Sequence, residues 1–163
     1  MRRKDREITD HARIIQVMKR CEVCHVAFFD TPYPYVVPMT FGLLEYGERV
    51  TLYFHGAKSG HKHDLLRRNP HVAFCMELTH GLVTGPEVGA CECTMEFDSV
   101  CGTGIMEYAP EGEKIPALRA MLEHYHIKEG EQYHFHEELV PGMEILKLAV
   151  HDMTGKRREV KRG

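Results

Sequence analysis

No stretch of this 163-residue chain approaches the length of a membrane span, and no apolar segment follows the charged opening MRRKDREITD. Neither a membrane partner nor an export signal is therefore expected, and the chain reads as cytoplasmic. An excess of charge of one sign is also missing. With 21 basic residues against 24 acidic ones the net charge is -3, which argues against nucleic acid as the main partner. The only basic run is the tail, TGKRREVKRG, expected as a frayed, solvated end. The length fits one domain, residues 1–163, with a real hydrophobic core.

Closed metal motifs are lacking too. Without an export signal, Cys21, Cys24, Cys75, Cys91, Cys93 and Cys101 read as free thiols rather than a disulfide framework. CEVCH, from Cys21 to His25, has the spacing of covalent haem attachment, but that chemistry belongs to exported chains, and here the motif sits where a helix gives way to an apolar strand. A zinc set with Cys91 and Cys93 fails because the second pair is C-x-C, so buried thiols are the simpler expectation. His124, His126, His134 and His136 form two H-x-H pairs that match no closed site, and a polar helix end with incidental histidines accounts for them. No metal centre is expected.

What is present reads mainly as strands. Thr9 or Asp10 caps a first helix whose Ile14, Ile15, Val17 and Met18 share a face and which ends near Arg20. Val23 to Phe29 is a buried strand closed by Asp30-Thr31-Pro32. Tyr33 to Phe41 places Tyr33, Tyr35, Val37, Met39 and Phe41 on one apolar face, and both faces read as covered. Pro34 and Pro38 share a parity, so one edge of this strand must be free or bulged; either a flat heteroaromatic ring uses the groups left over there or the prolines protect an ordinary edge. Glu45 to Glu48 turns that strand into the next one, ending at His55, as a hairpin. His71 to Leu78 alternates cleanly. Thr79 to Ala90 reads as a loop, and Cys93 to Ala109 as a long strand with a bulge near Ser99, where the apolar phase shifts. Gly102 and Gly104 share a face on which a ligand or a partner subunit could pack. Glu113 to His126 reads as a helix, with Pro116 in its first turn. Met143 to His151 is the last strand, ending at Thr154-Gly155-Lys156. Strands arriving as consecutive hairpins argue against a doubly wound fold and for an antiparallel barrel with outer helices. Apolar faces on both sides of the sheet call for a second cover, which homodimerisation supplies most simply.

The segment YFHGAKSGHKHDLLRRNP, from Tyr53 to Pro70, is the candidate ligand site. Gly56 and Ala57 carry almost no side chain, so another molecule can approach the backbone closely. Ser59-Gly60 caps a short helix that ends before Pro70, and Lys58, His61, Lys62 and His63 crowd its N-terminus. The amides and dipole there favour an anion such as phosphate. A strand, a turn and a solvated basic helix account for the same residues, and the glycine spacing of a Walker loop is absent.

The opening MRRKDREITD, the proline strand PYPYVVPMTFG, the segment LYFHGAKSGHKHDLLRRNPHVAF and the closing LKLAVHDMTGK together resemble the flavin-binding split barrels related to pyridoxamine 5'-phosphate oxidase. Within them they are most similar to the 5-nitroimidazole resistance (Nim-type) branch. The resemblance implies a mainly β, six-stranded antiparallel split barrel, a homodimer, and FMN held in two sites at the dimer interface. It implies that Val37, Pro38, Met39 and Thr40 meet the isoalloxazine, with His55 and Gly56 at the end of the next strand. His61 and Lys62 stand where the family has a phosphate-binding Arg-Lys pair. A histidine cannot form arginine's bidentate fork, and it serves a phosphate best when protonated, so flavin affinity is expected to weaken as pH rises above about 6.5 to 7. Cys101 and Gly102 match positions near the partner's flavin.

The function implied is that of an FMN-dependent oxidoreductase, with nitro groups on small flat heteroaromatics as candidate substrates and NADH or NADPH as candidate donor. The sequence shows no nucleophile-base pair or acid-base dyad for covalent chemistry by the protein. A different class stays open: a non-catalytic protein that stores or senses FMN or haem, with His55 or His71 as axial ligand.

Overall fold

A computed structural model describes residues 3–85, 88–127 and 136–160. The first helix, α1 (His11–Arg20), starts where the Asp10 carboxylate accepts a hydrogen bond from the Ala12 amide at 3.0 Å, and it buries Ile14, Ile15, Val17 and Met18. The strands are β1 (Glu7–Ile8), β2 (Cys24–Phe28), β3 (Tyr35–Met39), β4 (Gly42–Tyr46), β5 (Arg49–Gly56), β6 (His71–Val83), β7 (Thr94–Tyr108) and β8 (Glu144–Arg158). Two further helices, α2 (His61–Arg68) and α3 (Lys114–His124), lie outside them.

All the ladders are antiparallel, and the path runs β3-β2-β6-β7-β8-β5-β4, with β1 added to β8. Only Thr40 and Phe41 separate β3 from β4, the two ends of that path. So short a link spans roughly 10 Å at full extension, and the sheet must curl until its ends meet. Among the described residues no ladder joins them, which makes the barrel split. Its interior is filled by Phe28, Phe41, Leu52, Phe54, Met76 and Leu148. The expected mainly β split barrel is what the chain forms, with eight strands among the described residues in place of six because β1 is a short addition and the Thr40-Phe41 corner divides one expected strand.

The outer helices are positioned by specific contacts. α3 lies so close to β4 that a Cβ on Gly42 would stand 2.6 Å from the Met121 nitrogen, so only glycine fits. The Tyr125 hydroxyl accepts from the Phe41 amide at 3.1 Å and donates to the Glu22 carbonyl at 2.6 Å, while His124 donates to the Cys21 carbonyl at 2.8 Å and packs on Phe41. The end of α3 thus ties the barrel corner to the start of β2. His124 has a structural use, His136 meets Glu138 at 2.9 Å, and His134 lies outside the described residues.

Several expectations are corrected. β3 and β5 are not hairpin partners: the hairpin is β4–β5, and β3 pairs with β2. β3 has one ladder among the described residues, as the prolines require, but its faces are not both covered within the chain, since Tyr33 is 79 % and Val36 52 % exposed. β6 continues through Gly81 to Val83, because its partner β7 stays alongside it past a register shift at Thr79/Gly81. The bulge of β7 falls between Thr103 and Gly104, against β8, and the register is continuous at Ser99. The space over Gly102 is taken by the Phe74 ring of the neighbouring strand, and Gly104 lies against the Ala149 carbonyl. The C-terminal run is strand as far as Arg158, and Arg157 makes a fork to Asp98. Cys21 and Cys24 are buried, and burial pushes the Cys21 thiol up to about 12; Cys91 and Cys93, by contrast, are exposed.

Candidate functional site

β5 delivers the site. Leu52 and Phe54 anchor the strand in the core, and the chain then leaves the sheet at Gly56 and passes through exposed Ala57, Lys58 and Ser59 to α2. Gly60 provides the N-cap with φ 133°, a conformation that L side chains rarely adopt, and among the described residues no side-chain hydrogen bond caps the helix. The first helical hydrogen bond runs from the His63 amide to the Gly60 carbonyl at 2.9 Å. The amides of His61 and Lys62 precede it and have no intrahelical acceptor, so they remain available to a ligand.

The four basic side chains of this segment separate. Lys58 donates to the Pro141 carbonyl at 2.7 Å. His63 turns into the core, fully buried, stacked on Tyr108 with its Nδ1 3.1 Å from the phenol oxygen. His61 donates through Nε2 to Asp30 at 2.7 Å and meets the Tyr35 ring edge-on at 4.9 Å. That hydrogen bond, helped by the Thr31 amide, holds the Asp30 carboxyl below the usual aspartate range. Lys62 folds back along β5, its Nζ 3.1 Å from where a Cβ on Gly56 would stand. Among the described residues it has no carboxylate partner, and its charge lies against the end of β5 at Gly56.

Val37 is half buried and Met39 buried against the core, while Pro38 is exposed on the edge strand and Thr40 is exposed at the corner that follows it. His55 is exposed at the end of β5, opposite Ile145 of β8. The structure joins β3 to α2 through Tyr35 and His61, and β5 to α2 through Gly56 and Lys62. Cys101 is not part of that cluster. It lies on the outer face of β7, separated from β3 by β6 and β2, and shares with Val36 an open depression of about 530 Å³.

Sequence reasoning missed Asp30 and Tyr35 as neighbours of His61. The Asp30-Thr31-Pro32 turn was visible, but nothing in the sequence showed that it faces a helix 31 residues later.

A family model described as pyridoxamine 5'-phosphate oxidase matches residues 10–157. Among solved structures, the chain is similar to a proposed 5-nitroimidazole antibiotic resistance protein from Bacteroides thetaiotaomicron, with 32 % identity over 92 % of this chain and 85 % of that one, and a TM-score of 0.74. It also shares its fold with the flavocytochrome Anf3 from Azotobacter vinelandii (21 % identity, 98 % and 72 % covered, TM-score 0.80). A FAD and heme binding protein from Mycobacterium smegmatis aligns equally well (18 % identity, 95 % and 74 % covered, TM-score 0.80). No curated protein sequence matches. With nine-tenths of its length under one family model and its strands in this split-barrel order, the chain belongs to the pyridoxamine 5'-phosphate oxidase family.

Proposed function

We propose that this chain is a flavin-dependent oxidoreductase that works as a homodimer, holds FMN at each end of the interface, and reduces small flat aromatic compounds, nitroheteroaromatics among them. The observation that carries the reading is the Gly56–Lys62 cradle. A cation with no carboxylate partner among the described residues leans over a residue that has no side chain, and the helix it belongs to starts with two amides that have no intrahelical acceptor. A terminal phosphate satisfies all of these groups at once. Bound flavin would supply the two-electron chemistry.

The chain's own residues have separate tasks in this reading. Lys62 and the amides of His61 and Lys62 bind the phosphate. Val37 to Thr40 on the edge strand and His55 to Ala57 line the way for the rings, and Cys101 approaches from the second chain. His61 contributes less than the family's arginine, since Asp30 already neutralises it when it is charged. The exposed side chains of Phe29, Tyr33, Tyr35 and Val36, on β3 and the connection leading into it, support a second copy as a cover for this edge of the sheet. The similar Bacteroides protein supports a nitroaromatic as substrate, and NADH or NADPH is the donor to try first.

One feature favours a non-catalytic haem binder as the second reading. His71 is exposed and its Nδ1 is 3.0 Å from the Asn69 side-chain oxygen, the arrangement that fixes a histidine with Nε2 free to ligate a metal. The absorption spectrum of the purified protein after incubation with each cofactor separates the two: a flavin band in the blue supports the proposal, and a Soret band alone refutes it. Anaerobic addition of NADH or NADPH and then a nitroimidazole should bleach and restore the flavin band in a reductase, whereas no reoxidation identifies a binder.

A further inference from the structure

The two charged ends of the chain come together in the fold: Glu7 and Ile8 of β1 pair with Lys156 and Gly155 of β8. A Cβ on Gly155 would stand 2.9 Å from Ile8 and from Ile14 of α1, so β1 and α1 pack directly on the end of β8. Where the three elements join lies a cavity of about 650 Å³ whose lining includes Arg3, Arg6, Arg13, Arg157 and Arg158. Its size is that of a small-molecule site. It sits at the opposite end of β8 from the rung that pairs Gly56 with Glu144. It shares no residue with the depression over Cys101 or with the exposed β3 edge given to the second copy.

Two of these arginines are already paired, Arg3 with Asp5 at 2.6 Å and Arg157 with the buried Asp98 at 2.5 Å. Arg6 reaches only the Asp5 oxygen that Arg3 holds, at 3.9 Å. Among the described residues Arg13 and Arg158 have no carboxylate partner. Asp10, also on the lining, is engaged by the Ala12 amide. Arg13 stands in the first turn of α1, where the helix dipole disfavours a cation unless an anion offsets it. Partial burial, and then the neighbouring Arg158 and Arg3 charges, hold the Arg6 guanidinium below the ordinary arginine value. Like charges gathered in one concavity repel one another, and a bound anion relieves that repulsion.

We propose that Arg6, Arg13 and Arg158 form a binding site for a small polyanion carrying clustered phosphate or carboxylate groups. Guanidinium forks grip such groups through paired, charge-assisted hydrogen bonds. Glu7 and Glu159 also line the cavity and form no ion pair among the described residues, so they accept from hydroxyl groups on the same ligand. A ligand held there ties β1 and α1 to the end of β8 and stabilises the folded chain as it fills. The Gly56–Lys62 cradle takes no part, so this site and the function above fail separately.

The test uses the full chain carrying Lys62→Glu, which silences the cradle, and titrates it calorimetrically with pyrophosphate and, separately, with citrate at fixed ionic strength. The expected result is saturable binding of one anion per chain and a melting temperature that rises with anion concentration. Arg13→Gln and Arg158→Gln, each added to that protein, should weaken binding about tenfold, the loss of one charge-assisted hydrogen bond. Arg67→Gln on α2 removes the same charge elsewhere and should leave binding unchanged. The tighter probe shows whether the natural ligand carries phosphates or carboxylates. Absence of saturable binding by either anion overturns the proposal. Equal weakening by Arg67→Gln overturns it too, since binding would then follow net charge and not the cavity.

Discussion

His61 donates a 2.7 Å hydrogen bond to Asp30, so the first residue of α2 is held by a carboxylate on the turn after β2. Each positive charge His61 gains is matched by a negative one beside it. In the function proposed above, Lys62 is then the main source of attraction for a phosphate at this helix end.

Asp30→Asn removes the opposing charge and should tighten FMN binding. One unit charge about 4 Å away in water is worth about 1 kcal/mol, or roughly fivefold in affinity. His61→Ala in the wild-type background should weaken binding less than Lys62→Ala does, and retention between pH 6 and 8 should vary only shallowly. Fluorescence titration at fixed ionic strength measures all three effects; a steep fall in retention with pH would restore His61 as the phosphate ligand.

Gly56→Val tests the cradle sterically. A Cβ at 3.1 Å from the Lys62 nitrogen already crowds the ammonium, and a branched side chain displaces it. FMN affinity should fall about tenfold, the loss of one charge-assisted hydrogen bond. The far-ultraviolet circular dichroism should stay unchanged, because Gly56 sits at the end of β5.

The buried Asp98 sets the acid stability of the barrel. Burial alone would raise its carboxyl, but the Arg157 fork at 2.5 and 2.6 Å and the His80 contact at 3.0 Å bring it below the ordinary aspartate range. A depressed carboxylate contributes stability above its unfolded value near 4 and loses it as pH falls through the folded value. Arg157→Leu should cost about 2–3 kcal/mol, below the fully buried range because the arginine is one-third exposed. A drop in melting temperature of about 5–10 °C at pH 7 is expected for a chain of this size. In Asp98→Asn the decline in melting temperature between pH 5 and 3 should be shallower than in wild type.

Local pattern made most of the fold legible. Alternation marked the first part of β6, a cap at Thr9 or Asp10 marked α1, and the prolines marked β3 as an edge. What failed depended on partners far away in sequence. The tail reads as solvated because Asp98, which orders it, lies 59 residues earlier. The strand ending at Phe41 reads as continuous because the corner at Thr40-Phe41 is stabilised from outside, by Tyr125 84 residues later. At the candidate site, the strand end at Gly56 and the helix start near Lys62 were legible from residue type, and the fold brings the two together. The dispersal of Lys58, His61 and His63 was not, since each goes to a partner on another element: Pro141, Asp30 and Tyr108. Composition places charges along a segment, whereas only the folded chain decides which remain unpaired.

The measurement closest to the central claim is an FMN titration of the wild-type protein beside Lys62→Glu, read by flavin fluorescence and by the absorption spectrum after gel filtration. The account predicts saturable binding by the wild type and a loss of about a hundredfold or more on charge reversal, since a charge-assisted contact worth about 1.5–3 kcal/mol becomes a repulsion. Equal FMN occupancy in the two proteins would contradict it.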